Sequence, residues 1–208
     1  MRTILMTCLV FVCYASAEEK PAAGKVLTNP GFEQGKPGQP PPGWTLERDE
    51  GHGHQKTLAV CAVTDKVACD GKQSVAITNL VRDPQGPKDP FYVARLCGAY
   101  FVPDKAKTYE ACAKVKVPAQ FSGAQVFLRV LAMDERSASS AMCEEAFEKD
   151  AGDGWLFVAI TAERWKEWAD RASRRWSKVR LEIVIKITQD QAKEATVYVD
   201  DVFFGPTG

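Results

Sequence analysis

The chain has 208 residues, with 27 basic against 27 acidic side chains and 45% hydrophobic residues. That balance excludes the basic stripe that nucleic acid requires and gives an acidic lipid surface nothing to hold. The length suits one domain with a hydrophobic core of its own.

In chain order, the first 17 residues read as a signal peptide. Arg2 supplies the positive start, Thr3 to Tyr14 the short apolar stretch, and Ala15-Ser16-Ala17 a small-x-small cleavage site before Glu18-Glu19-Lys20. The stretch falls short of the ~20 residues a membrane-spanning helix needs, and no second long apolar run follows. Lipidation at Cys13 would want small residues before it, where Val10-Phe11-Val12 stand. Cleavage near Ala17 and secretion, extracellular or periplasmic, are expected. Loss of Arg2 leaves one acid in excess. Of seven cysteines, Cys8 and Cys13 depart with the leader, leaving Cys61, Cys69, Cys97, Cys112 and Cys143. Export favours disulfides, and an odd count leaves one cysteine over.

Residues 18–25 form a flexible lead, and residues 26–208 are read as one domain. Gly35 to Gly43 is a Gly/Pro loop whose three successive prolines exclude helix and central strand. Strands are predicted at 57–63, 73–79, 91–101, 107–117, 125–133, 155–160, 178–188 and 196–204, with turn residues between most of them. Alternation supports them. Val179, Leu181, Ile183, Ile185 and Ile187 share one face, and Arg180, Glu182, Lys186 and Thr188 the other, with Val184 the exception. The phase changes at Asp200-Asp201, which predicts a β-bulge. Thr161 to Trp176 reads as a helix with a Trp165, Trp168, Ala169, Ala172, Trp176 stripe, and Ser139 to Lys149 as a second, short one. The fold class is therefore all-β, an antiparallel sandwich with one or two inserted helices.

Two terminal motifs sharpen this. Asn29-Pro30-Gly31-Phe32-Glu33, followed by Trp44, and Tyr198-Val199-Asp200-Asp201-Val202 resemble the ends of the carbohydrate-binding modules associated with cellulases and xylanases. Gly71 to Ile77 and Lys107-Thr108-Tyr109 resemble internal strands of the same family. The resemblance covers nearly all of residues 26–208. It implies a galactose-binding-like jelly roll, ends that meet in space, a polysaccharide or oligosaccharide partner, and a structural calcium ion held by Glu33 and Asp200. The alternative for those two carboxylates is pairing with a base or with backbone N–H groups.

Sugar binding needs flat apolar surfaces edged by hydrogen-bonding groups. If Tyr92, Ala94 and Leu96 face inward, Val93, Arg95 and Cys97 face outward. If Val126, Leu128, Val130 and Ala132 face inward, Gln125, Phe127, Arg129 and Leu131 face outward. Arg95, Gln125, Phe127 and Arg129 are thus candidate sugar contacts, with Trp44 and Trp155 beside them. The competing role for Phe127 is a second hydrophobic layer under inserted helices. The three helix tryptophans read first as packing residues.

A hairpin of 91–101 with 107–117 would set Cys97 opposite Cys112, close enough for a disulfide. Cys61 and Cys69 would then close a short loop, leaving Cys143. The alternatives to a glycan binder are an adhesion or envelope protein with a protein partner, linked as a dimer through Cys143, and a polysaccharide lyase using Arg95, Gln125 and Arg129. His52 and His54 stand together in a glycine loop, and Glu144-Glu145 on the second helix reads as a solvated face. No nucleophile motif or metalloprotease motif occurs.

Overall fold

Among the described residues, period-two alternation along eleven short strands produces two antiparallel sheets whose apolar faces meet. The computed structural model describes residues 26–48, 57–84, 91–119, 121, 124–135, 139–147, 149–171, 176–188 and 195–207. The strands are β1 (Trp44–Glu47), β2 (Val60–Thr64), β3 (Ser74–Thr78), β4 (Tyr92–Gly98), β5 (Tyr109–Lys116), β6 (Ala124–Met133), β7 (Ser139–Ala146), β8 (Lys149–Gly152), β9 (Trp155–Ile160), β10 (Lys178–Ile187) and β11 (Val197–Pro206), with helix α1 (Ala162–Arg171) before β10. One sheet has the order β1-β4-β10-β6-β7 and the other β2-β3-β11-β5-β9-β8.

The inward residues are those the alternation names: Tyr92, Ala94 and Leu96 on β4, Val126 to Ala132 in steps of two on β6, and Val179 to Ile187 in steps of two on β10. The bulge appears in β11, where the β5 register shifts between Asp200 and Phe203, and Asp201 takes a positive φ of 47°. The two chain ends meet as the resemblance implies. Val26 N–H donates to Phe204 O at 3.1 Å and Val202 N–H to Pro30 O at 3.1 Å. Asn29 Oδ1 accepts from Gln34 N at 2.9 Å, closing the turn that buries Phe32 against Trp44.

Helix α1 opens with the Thr161 hydroxyl accepting from Arg164 N at 3.2 Å, an N-cap. Trp165 and Trp168 are buried, and Trp176 stacks on Trp168 at 5.7 Å and 23°. Trp165 also meets Tyr109 and Phe204. The tryptophan stripe therefore packs on the domain body.

Three expectations are corrected. Residues 139–146 form strand β7, paired to β6, and 149–152 form β8. The open edge of β6 overrides helix propensity there, a normal tertiary effect. Glu144 then lies opposite Arg129 on a sheet face. The hairpin of β4 with β5 does not form, because β1 and β10 occupy both edges of β4 and β5 joins the other sheet. Cys97 and Cys112 consequently sit in different sheets, Cys61 and Cys69 are not bonded, and all five cysteines are free thiols. Cys143 is 3% exposed, inside the core.

This arrangement predicts an order of thiol reactivity. Burial pushes the Cys143 thiol up to about 11 and raises Cys97 well above its ordinary value, with the Glu182 charge adding to the latter. The thiolate is the reactive form. Alkylation of the native protein should modify Cys61, Cys69 and Cys112 long before Cys97 and Cys143, as read by peptide mass spectrometry. Equal labelling of all five would contradict the packing.

Candidate functional site

The outward face of the five-stranded sheet carries the charge. Its rows follow from register: Glu47 faces Arg95, Arg95 faces Val184, Cys97 faces Glu182, Glu182 faces Arg129, and Arg129 faces Glu144. One row along, Val184 faces Phe127; the next pairs Lys186 with Val93 and Gln125. Arg95, Gln125, Phe127 and Arg129 thus share one face, as the alternation predicts.

Glu182 is the centre and is 0% exposed. Its Oε1 accepts from Arg180 Nε at 2.7 Å and lies 3.4 Å from Arg95 Nη1. Among the described residues its Oε2 has no hydrogen-bond partner, and Arg129 Nη1 stands 3.6 Å away. Glu47 takes both Arg180 Nη atoms, at 2.6 and 2.8 Å, and Arg95 Nη2 at 2.9 Å. Arg129 Nε donates to Glu144 at 2.6 Å. Three guanidinia and three carboxylates thus neutralise one another in a network of forked, charge-assisted bonds.

The pKa directions follow from this. Burial opposes the Arg180 charge, but the Glu47 hydrogen bonds and neighbouring carboxylates outweigh it and raise its pKa. The Glu47 carboxyl is held below its ordinary 4.5, first by the Arg180 hydrogen bonds, which outweigh burial with help from the Arg180 and Arg95 charges. A carboxyl whose pKa drops on folding adds stability above the unfolded pKa, and this is lost as pH falls through the folded value. Glu47→Gln should therefore flatten the acid limb of the stability curve below about pH 5. Denaturant melts across that range check it; an unchanged limb would show the pair to be silent.

Glu47, Cys97 and Glu182 bring three ligand atoms within 4.8 Å of one another. They suit a metal ion poorly, because arginine nitrogens already occupy the carboxylates. His52 and His54 lie outside the described residues.

Beside the network is a depression of about 190 Å³ lined by Phe91, Val93, Phe127, Arg129, Glu144, Val184 and Lys186. The buried Val184 and half-buried Phe127 form an apolar strip between two polar rows, with Val93 in the Lys186 row. Lys186 Nζ lies over the Phe91 ring at 4.3 Å, and toward the other end of the face Arg180 and Lys178 approach the Tyr100 ring at 4.7 and 4.8 Å. Sequence reasoning missed Glu47, Glu144, Glu182, Arg180, Lys186 and Phe91 as site residues. The signal for three of them was present: Arg180, Glu182 and Lys186 form the polar phase of a central, otherwise apolar strand.

Trp44 and Trp155 do not join this face. Trp44 is 6% exposed, packs on Phe32 at 5.3 Å, and donates its indole N–H to Thr28 O at 3.1 Å. Trp155 is buried and belongs to the other sheet, opposite Lys116. Neither ring has a face open to a sugar.

Glu33 and Asp200 converge on one turn from the two chain ends. Glu33 Oε1 accepts from Lys72 N and Gln73 N at 2.8 and 3.0 Å. Asp200 Oδ2 accepts from Cys69 N and Asp70 N at 2.7 and 3.1 Å, and its Oδ1 from Asp201 N at 2.7 Å. Burial raises the Asp200 pKa, with those three amides pulling the other way. Gly71, at φ 67°, has no room for a Cβ because Glu33 Oε1 is there. Hard oxygens are what calcium wants, so the side chains fit such an ion in kind, while the groups they meet here are amide donors.

No family model matches the chain, and no curated protein matches it in sequence. Among solved structures it is similar to a promiscuous carbohydrate-binding module of the β-sandwich superfamily, at 15% identity and TM-score 0.55, over 88% of this chain and 63% of that one. It is also similar to an arabinose-bound α-L-arabinofuranosidase, at 12% identity and TM-score 0.54, over 88% and 26%. A third is a Stig cyclase of Fischerella sp. TAU, at 13% identity and TM-score 0.50, over 88% and 97%. The chain thus spans under two thirds of the first two structures. Identities this low speak to fold alone, and the fold is an antiparallel β-sandwich.

Proposed function

We propose that the protein is a secreted, non-catalytic binder of polysaccharide or oligosaccharide, and that the outward face of the five-stranded sheet is its binding surface. One observation carries this: half-buried Phe127, beside the buried Val184, forms an apolar strip between the polar row of Lys186 with Gln125 and that of Arg129 with Glu144. Such a strip suits the face of a pyranose ring, and the rows suit its hydroxyls. The fold likeness supports the reading without fixing it. Catalysis is not part of the proposal. Arg95 and Arg129, which a lyase would use, are tied to Glu47, Glu182 and Glu144.

Affinity electrophoresis on xylan, β-glucans, mannans, acidic polysaccharides and host-matrix polysaccharides tests this. Retardation on at least one polymer is expected, and truncating a central aromatic contact costs more than ~1 kcal/mol. Phe127→Ala should therefore weaken binding about tenfold at an unchanged melting temperature. A folded protein that no polymer retards would sink the reading.

The structural calcium ion belongs to the same proposal, supported by the convergence of Glu33 and Asp200 on one turn. An ion there would exchange amide hydrogen bonds for oxygen coordination, taking further oxygens from backbone carbonyls. Saturation at ~100 times the dissociation constant adds about 2.7 kcal/mol, several degrees for a domain of this size. Superimposable melts with calcium and with chelator would remove the ion and leave the amides as the partners of both carboxylates.

A further inference from the structure

The charges on the binding face are not evenly spent. Glu47, Glu144 and Glu182 balance Arg95, Arg129 and Arg180. Lys186 remains. Among the described residues it meets no carboxylate within 4.0 Å; its ammonium lies over the Phe91 ring, at the edge of the depression. Lys178, toward the other end of the same face, is likewise held over an aromatic ring. The depression therefore pairs an apolar strip with a cation that meets no carboxylate among the described residues at one end and the Arg129–Glu144 pair at the other.

Resting on the sugar-binding reading, we propose that this depression takes a sugar residue bearing an anionic group, a carboxylate or a sulfate, with Lys186 as its counter-charge. A neutral sugar offers the ammonium hydroxyl oxygens alone, whereas an acidic one adds a full opposite charge at hydrogen-bond distance. Overall charge does not produce the preference. The full chain is balanced, so an acidic polymer gains from the local lysine and not from a basic surface.

Calorimetric titration with oligogalacturonate, and with the same oligomer after carboxyl reduction, tests this. Keratan sulfate and its desulfated, uncharged form make the sulfate arm. The acidic oligomer is expected to bind at least about tenfold tighter than its reduced form, about 1.4 kcal/mol, and the ratio should shrink as salt rises. Lys186→Gln should bring the ratio close to one; Lys186→Arg should keep it, which guards against a folding defect in the first variant. A preference carried by the sulfate pair alone assigns the anion as sulfate and supports the proposal. Equal binding of acidic and neutral oligomers in both pairs overturns it while leaving the sugar-binding reading intact, and so does an unchanged ratio in Lys186→Gln. No binding of any glycan defeats both.

Discussion

Glu182→Leu is expected to lower the unfolding free energy by about 3–5 kcal/mol, the range for breaking a buried ion pair from one side. Glu182 is fully buried and faces Arg180, Arg95 and Arg129. Without it, Arg180 and Arg95 keep Glu47 and Arg129 keeps Glu144, but all three lose a carboxylate on a face where little of them meets solvent. At ~2–4 °C per kcal/mol for a chain of this size, the midpoint should fall by roughly 6–20 °C. The double variant Glu182→Leu with Arg180→Met should recover part of the loss, since removing both charges is less costly than removing one. Thermal melts of the wild type, the two single variants and the double variant close the cycle. If the double variant is no better than Glu182→Leu, the network does not act through charge pairing.

Asp200→Ala is the second large effect. Asp200 is 1% exposed and accepts from the amides of Cys69, Asp70 and Asp201. It pins the turn before β3 to the bulge in β11. Each buried donor left unmet costs about 1–3 kcal/mol, and water can reach part of this turn, so we expect a loss of ~3 kcal/mol. Asp200→Asn should keep about half of that, because an amide oxygen can still accept while the NH₂ group meets one of the donors. Asp201→Asn is the control. Asp201 is half-exposed and its bond to Lys114, at 2.8 Å, is a surface pair, worth under ~1 kcal/mol; asparagine also tolerates the positive φ. Equal losses in Asp200→Ala and Asp201→Asn would show that the amide contacts contribute little.

The strands carrying the site were readable because their alternation is strict. On β4, β6 and β10 the parity of apolar residues alone separates Tyr92, Leu128 and Ile183 inside from Arg95, Arg129 and Glu182 outside. The bulge at Asp200 was readable for the same reason, as a break in that parity. The joining of the chain ends came from motif resemblance, since no local property of Glu33 points to a turn some forty residues away.

Strand pairing belonged to the tertiary structure. Cys97 and Cys112 lie on consecutive strands and would pair if those strands did; β10, arriving from eighty residues downstream, takes that edge first. Residues 139–146 have helix-compatible composition and become a strand because β6 offers them an unpaired edge. Of the partners of Glu182, Arg180 was readable as its neighbour on the same face, while Arg95 and Arg129 come from β4 and β6 and their meeting depends on register. Trp44 and Trp155 show the same limit: a tryptophan suits a sugar platform or a core equally well by type. Period and parity are properties of a few neighbouring residues and survive in the sequence. Which sheet a strand joins, and what covers a ring, is settled by long-range competition for edges and volume.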